Sequence, residues 1–212
     1  GAKGAHISLN EVAERAWKAR MSPRLRAWVT QELAKCDSST APRHRKVECI
    51  LAAYRKKVPY VPDPVMGEFI ATPDQVLCLD DGGLCIVGCD CDESTVTLVA
   101  SVMSIGIPGM VIGSSHKAPH DVPTHVFGAF QNESGKWIKF DGTTKHPVGK
   151  APSSLREWWV EPGAKAKKSG EGDFVGMAGE EPGMLSGVPV LRNPAADSSY
   201  LSLADLYFPR IP

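Results

Sequence analysis

Residues 88–108 read GCDCDESTVTLVASVMSIGIP, and the reading of this stretch decides the fold. From Cys91 to Ile105 it carries Val96, Leu98, Val99, Val102, Met103 and Ile105, which between them cover nearly every side of a helix. Such a helix is buried within a fold rather than laid along its surface. The acidic pair Asp92 and Glu93 suits its positive N-terminal end, and Gly106 with Pro108 stops it. Three short runs follow: GMVIGSS from Gly109, THVFGAF from Thr124 and KWIKF from Lys136. Rich in β-branched and aromatic residues and separated by polar, Gly-bearing turns, they predict an antiparallel sheet packed on the central helix. The fold class expected is therefore α+β.

Upstream the periodicity is helical. Ser8 with Glu11 has the form of a capping box ahead of a segment carrying Val12, Ala16 and Trp17. Ser22-Pro23 opens a second segment with Leu25, Trp28, Val29 and Leu33. A third runs from Pro42 to Lys57 with Val47, Ile50, Leu51 and Tyr54 inward and a basic end suited to its C-terminal dipole. These stripes are read as core, and the basic runs RHRKVE and RKK as solvated helix faces. The prolines of VPYVPDPVMG then force an extended linker, and TPDQVLCL from Thr72 predicts a short capped helix before the DDGG turn. Beyond Gly149, KAKKSGEGDF and AGEEPGMLSG are rich in Gly, Lys and Glu and predict an extended, partly disordered tail. Its apolar pieces WWV (158–160) and LADLYFP (203–209) are able to dock on the body. Three regions result: 1–58 helical, 59–150 the core, and 151–212 the tail.

The 212 residues, 42% hydrophobic and 23% charged, are ordinary for a globular chain. Lys and Arg (24) balance Asp and Glu (24), so no overall field favours nucleic acid or an anionic membrane. No apolar run reaches the roughly 18 residues of a membrane span, and the start GAKGAHISLN lacks the basic and apolar regions of a signal peptide. A cytoplasmic or virion-associated location is expected, with a reducing compartment mildly favoured by the need for a free thiol. Six cysteines make neither a disulfide-dense scaffold nor a metal-finger pattern.

Three of the chain's side chains fit one chemistry. Cys91 opens the central helix, where N–H groups with no partner favour a thiolate and can donate to an oxyanion; Asp92 and Glu93 oppose that charge. His125 sits early on one strand and Asp141 ends the next, and neighbouring strands lie about 4.8 Å apart, so the two side chains can meet. Cysteine, histidine and aspartate would then act as nucleophile, base and orienter. Gln75 and Tyr60 are upstream side chains able to donate a second oxyanion hydrogen bond. The competing readings are a core cysteine, a hydrogen-bonded strand histidine and a turn-forming Asp-Gly pair. Cys85, Cys89 and Cys91 with His116 or His120 form an alternative zinc set, though C-x3-C-x-C is not a usual zinc spacing. A disulfide from Cys85 to Cys89, or from Cys78 to either, is a further option.

The pieces YVPDP (60–64), TPDQVL (72–77), CDCDE (89–93), GIP (106–108), THVF (124–127) and WIKFDGT (137–143), in this order, resemble the core of the transglutaminase-like superfamily, in its short bacterial and phage members. The resemblance implies a papain-like fold and a Cys91, His125, Asp141 triad. It also implies acyl transfer or hydrolysis on a peptide or carboxamide through a Cys91 thioester, with no cofactor and no metal. A protein or peptide is the expected partner, and neither nucleic acid nor a membrane is. The alternative is a non-catalytic binding or structural module of a phage particle or other multiprotein assembly. Where the family has Gly-Gly or Gly-Asp before the nucleophile, this chain has GGLCIVGCDCDE with the rival thiols Cys85 and Cys89; the helix register selects Cys91. A longer loop, 114–122, carries His116 and His120 and is placed to cover the site or select a substrate.

Overall fold

In the computed structural model, which describes residues 9–62, 70–80, 83, 85–86, 88–116 and 123–164, the helix that opens at Cys91 is the centre of the molecule. We number it α5, Cys91–Ser104, and nearly all its side chains are buried. Asp90 caps it, accepting the Asp92 N–H at 2.9 Å, while Glu93 Oε2 accepts the Asp90 N–H at 3.2 Å. This reciprocal arrangement satisfies amides that the first turn would otherwise leave without acceptors. Gly106, at φ 78, ends it in the left-handed conformation that glycine adopts without strain.

Three helices precede it: α1 Leu9–Ala19, α2 Pro23–Lys35 and α3 Arg43–Lys57. In α1 Leu9, Val12, Ala13 and Ala16 point inward at helical spacing. Trp17, expected in that stripe, is instead 39% exposed and lies beneath the Arg20 guanidinium, 3.4 Å from the ring centroid. Ser8 lies outside the described residues. Ser22 caps α2 as expected, accepting the Leu25 N–H, and its hydroxyl donates to Asp74, fifty-two residues on in the chain. A Cys36–Cys49 disulfide ties the end of α2 to α3. The short α4, Pro73–Val76, carries the capping box formed by Thr72 and Gln75.

The sheet is antiparallel throughout, in the order β3-β2-β1-β4, from β1 Gly109–Ser115, β2 His125–Gln131, β3 Trp137–Phe140 and β4 Arg156–Val160. The first three are the expected strands. The fourth lies past residue 150, where the core was expected to end, and pairs Trp159 with Ile112 and Trp158 with Gly113. The WWV piece thus docks as a full strand. Val111, Val126, Phe130, Phe140 and Trp158 join one apolar cluster with the helices, beginning at Leu9. On the other face Met110, Ile112, Phe127 and Ala129 cluster under Trp137, Ala151 and Trp159. Burial on both faces explains why β1 reads as a continuous apolar run and not as an alternation. Among the described residues no helix is long and apolar enough to cross a membrane. The tail from 165 onward, the tip of the 114–122 loop with His120, and part of the linker lie outside the described residues.

Candidate active site

Cys91 is the first residue of α5, so its amide has no acceptor within the helix. Helix and sheet meet here: the Val126 backbone amide, next to His125 in the chain, interacts with the Cys91 sulfur and favours its thiolate. The thiol itself donates to Asp92 Oδ1 at 3.4 Å and not to His125.

His125 is the first residue of β2 and Asp141 directly follows the end of β3. The pairing of Gly128 with Phe140 sets the register and brings the two side chains together across the end of the hairpin. His125 Nε2 lies 2.8 Å from Asp141 Oδ2, with Asp141 only 1% exposed. Burial alone would push the Asp141 carboxyl up. The hydrogen bond and charge of His125, with the Thr143 contacts, outweigh it and hold the group below the usual carboxylate range. Oδ1 accepts the Thr143 N–H at 2.9 Å and its hydroxyl at 2.8 Å. An ionised Asp141 only accepts, so Nε2 carries the proton toward it, and a neutral imidazole then has its lone pair on Nδ1.

The sequence left the charge on sulfur undecided. Burial, then the Asp92 and Asp90 carboxylates, push the Cys91 thiol well above its ordinary value; the Val126 amide opposes them without prevailing. The positive helix end is outweighed by desolvation first and by the two flanking carboxylates second. Asp92 is affected in turn: burial first, then Asp90, raise it to about 7, against the pull of Cys91 and His125. At rest the site therefore holds a protonated thiol on a carboxyl poised near neutrality.

The rival thiols are accounted for. Cys85 is bonded to Cys78, one of the disulfide options considered, and this takes Cys85 out of any zinc set. Cys89 is buried with its sulfur 2.9 Å from the Tyr54 hydroxyl, whereas Cys91 is partly exposed. Tyr60 lies beside Cys89 in a short parallel bridge and is 57% exposed. Gln75 turns its carboxamide oxygen back on Thr72, accepting the N–H at 2.9 Å, so it acts in the cap of α4. Among the described residues the one group with metal-ligand atoms close together is Asp90, Cys91 and Asp92, within 4.8 Å of one another. Two of its oxygens already accept the Asp92 amide and the Cys91 thiol.

Two residues at the site, Arg55 and Gly142, escaped the sequence reading, whereas His116 was already placed on a loop over it. Arg55, placed on a solvated face, donates to the Asp141 carbonyl at 2.6 Å and to the His146 carbonyl at 2.7 Å. Its signal was spacing: Arg55 follows Leu51 by four residues, on the buried side of α3. Gly142 is more than a turn former, because a Cβ there would run into Ser94 and Leu98. His116 stands with its ring 6.0 Å from that of His125, held by Ser114 Oγ at 3.1 Å and the Ser153 carbonyl at 2.6 Å. No family model matches the chain, and no curated protein or solved structure matches it either.

Proposed function

We propose that the protein is a cysteine-dependent acyltransferase or hydrolase of transglutaminase-like, papain-like type, acting on a peptide or carboxamide. The observation that carries this reading is the 2.8 Å His125–Asp141 bond beside a helix-opening cysteine whose sulfur meets the backbone of Val126. With Nε2 engaged by Asp141, His125 Nδ1 takes the Cys91 proton as sulfur attacks the carbonyl carbon. The raised thiol calls for this proton transfer during attack and not for a standing ion pair. The Cys91 amide is the first oxyanion donor and Tyr60 the candidate for the second. Collapse of the tetrahedral intermediate breaks the C–N bond, the departing amine takes the proton from Nδ1, and a Cys91 thioester remains. Water then releases an acid, as in a protease or amidase; an amine gives a new amide, as in a transglutaminase.

A second reading is a binding or structural module, for instance in a phage particle. The observation in its favour is the thiol held on Asp92 instead of on His125. The two disulfides favour oxidising surroundings over the reducing compartment expected from a free thiol, and a virion is compatible with them. Iodoacetamide labelling of the folded, disulfide-intact protein, followed by peptide mass mapping, tests the choice. The enzyme reading expects Cys91 to label ahead of Cys89 and His125→Ala to slow it. Labelling that ignores His125→Ala favours the module.

A further inference from the structure

Helix α3 touches the hairpin that bears His125 and Asp141 at both ends. At its start the Arg43 guanidinium donates to the carbonyls of Gln131 and Asn132, at 3.0 and 3.2 Å, where β2 turns into β3. Near its end Arg55 Nη2 donates to the Asp141 carbonyl at 2.6 Å and the His146 carbonyl at 2.7 Å, where β3 has run out. Twelve residues of helix separate the two, about 18 Å at the usual rise. The helix is itself fixed, by the Cys36–Cys49 disulfide at its middle and the Tyr54–Cys89 contact beside Arg55.

We propose that Arg55 is a positioning residue, which sets Asp141 against His125 and so aligns the base; its bearing on catalysis rests on the function proposed above. Asp141 lies just past β3, and apart from the bond to His125 itself only the bonds of its own turn, from Thr143, fix its carboxylate. Arg55 supplies the long-range restraint. By holding the carbonyls of 141 and 146 on one nitrogen it pins both ends of the post-β3 loop, while Gly142 lets that loop lie flat on α5. Burial lowers the Arg55 pKa, and the nearby Asp141 charge opposes that without reversing it. Among the described residues the buried Arg55 Nε has no hydrogen-bond partner, so its hold on the loop runs through Nη2.

Arg43 provides the control, because it makes the same kind of clamp on the same hairpin away from the triad. Two readouts are taken on Arg55→Met, Arg55→Lys, Arg43→Met, Asp141→Ala and the Arg55→Met/Asp141→Ala double variant. They are the NMR signal of the His125 Nε2–H proton and the rate of Cys91 alkylation by iodoacetamide. Arg55→Met should lose the hydrogen-bonded ring N–H signal and slow alkylation about tenfold, the scale of a small misplacement of a reacting group. Arg55→Lys should restore part of both. Arg43→Met should lower the melting temperature while leaving both readouts near wild type, and the double variant should be no slower than Asp141→Ala alone. Equal effects of the two arginine variants, or additivity in the double variant, would overturn the proposal. If His125→Ala and Asp141→Ala leave alkylation untouched, the catalytic reading falls by itself, and the ring N–H signal still decides whether Arg55 positions the pair.

Discussion

Replacing Asp92 by Asn should uncover the thiolate of Cys91 in a manner that depends on pH. The Sγ–Oδ1 separation is 3.4 Å and Asp92 is 7% exposed, so the two groups cannot readily be charged together. Unit charges that close repel by about 5 kcal/mol at an effective dielectric of about 20. In the native protein a thiolate therefore forms mainly in molecules whose Asp92 is neutral. With Asp92 titrating at about 7, that is roughly nine in ten molecules at pH 6, half at pH 7 and one in eleven at pH 8. Asn removes the requirement while keeping the shape. Iodoacetamide rates of the variant and the native protein should nearly coincide at pH 6, differ about twofold at pH 7 and about tenfold at pH 8. A ratio that stays constant from pH 6 to 8, or a slower variant, would refute the coupling.

Stability should carry the same signature. Asp92 binds its proton more tightly folded than unfolded, so its contribution is intact below about pH 4 and is lost as pH rises through about 7; the loss approaches about 4 kcal/mol. Urea midpoints at pH 4 and pH 8 should show Asp92→Asn gaining stability over the native protein only at the higher pH, and an equal difference at both would contradict this. Asp141 has the opposite sign: its carboxyl is held low, so its contribution is present above the unfolded value near 4 and lost as pH falls through the folded one. Asp141→Asn should flatten the acid side of the stability profile, and an unchanged acid limb would count against the pair. Replacing Cys36 and Cys49 by Ser should cost about 3 kcal/mol in urea unfolding, given their separation of 13 residues, and no change would mean the bond is not formed in solution. Gly142→Ala should cost about 1–3 kcal/mol and slow Cys91 alkylation, because its Cβ meets Ser94 and Leu98; a neutral result would show that the loop can lift without consequence.

The parts of this protein that could be read in advance are those whose reasons are local. Helix α5 was legible because an apolar run, an acidic start and a Gly-Ile-Pro stop all lie within twenty-one residues. The first three strands were legible from their β-branched and aromatic runs, and Cys91 was preferred over Cys85 and Cys89 by helix register alone. What escaped depends on distant partners. Strand β4 is five residues, REWWV, whose identity as a strand comes from β1 and not from its own pattern. The Cys36–Cys49 bond joins two helices, and spacing does not reveal which cysteines meet. Arg55 was concealed in a basic run because charge suggested solvent, while its position after Leu51 and Tyr54 gave the better clue. The thiol's charge state was undecidable from sequence, since it depends on how far desolvation and two carboxylates outweigh a helix end.

The central claim is that Cys91 takes an acyl group with His125 as its base, and a trapped acyl-enzyme tests it most directly. The folded protein is mixed with a p-nitrophenyl ester at pH 7, quenched in acid and mapped by mass spectrometry, with nitrophenol release followed in parallel. We predict a burst of one nitrophenol per chain with the acyl mass on Cys91. The burst should be absent in Cys91→Ala and slowed by a hundredfold or so in His125→Ala, the usual range for a general base. Acylation spread over surface lysines, or a Cys91 adduct that forms equally fast without His125, would contradict the account.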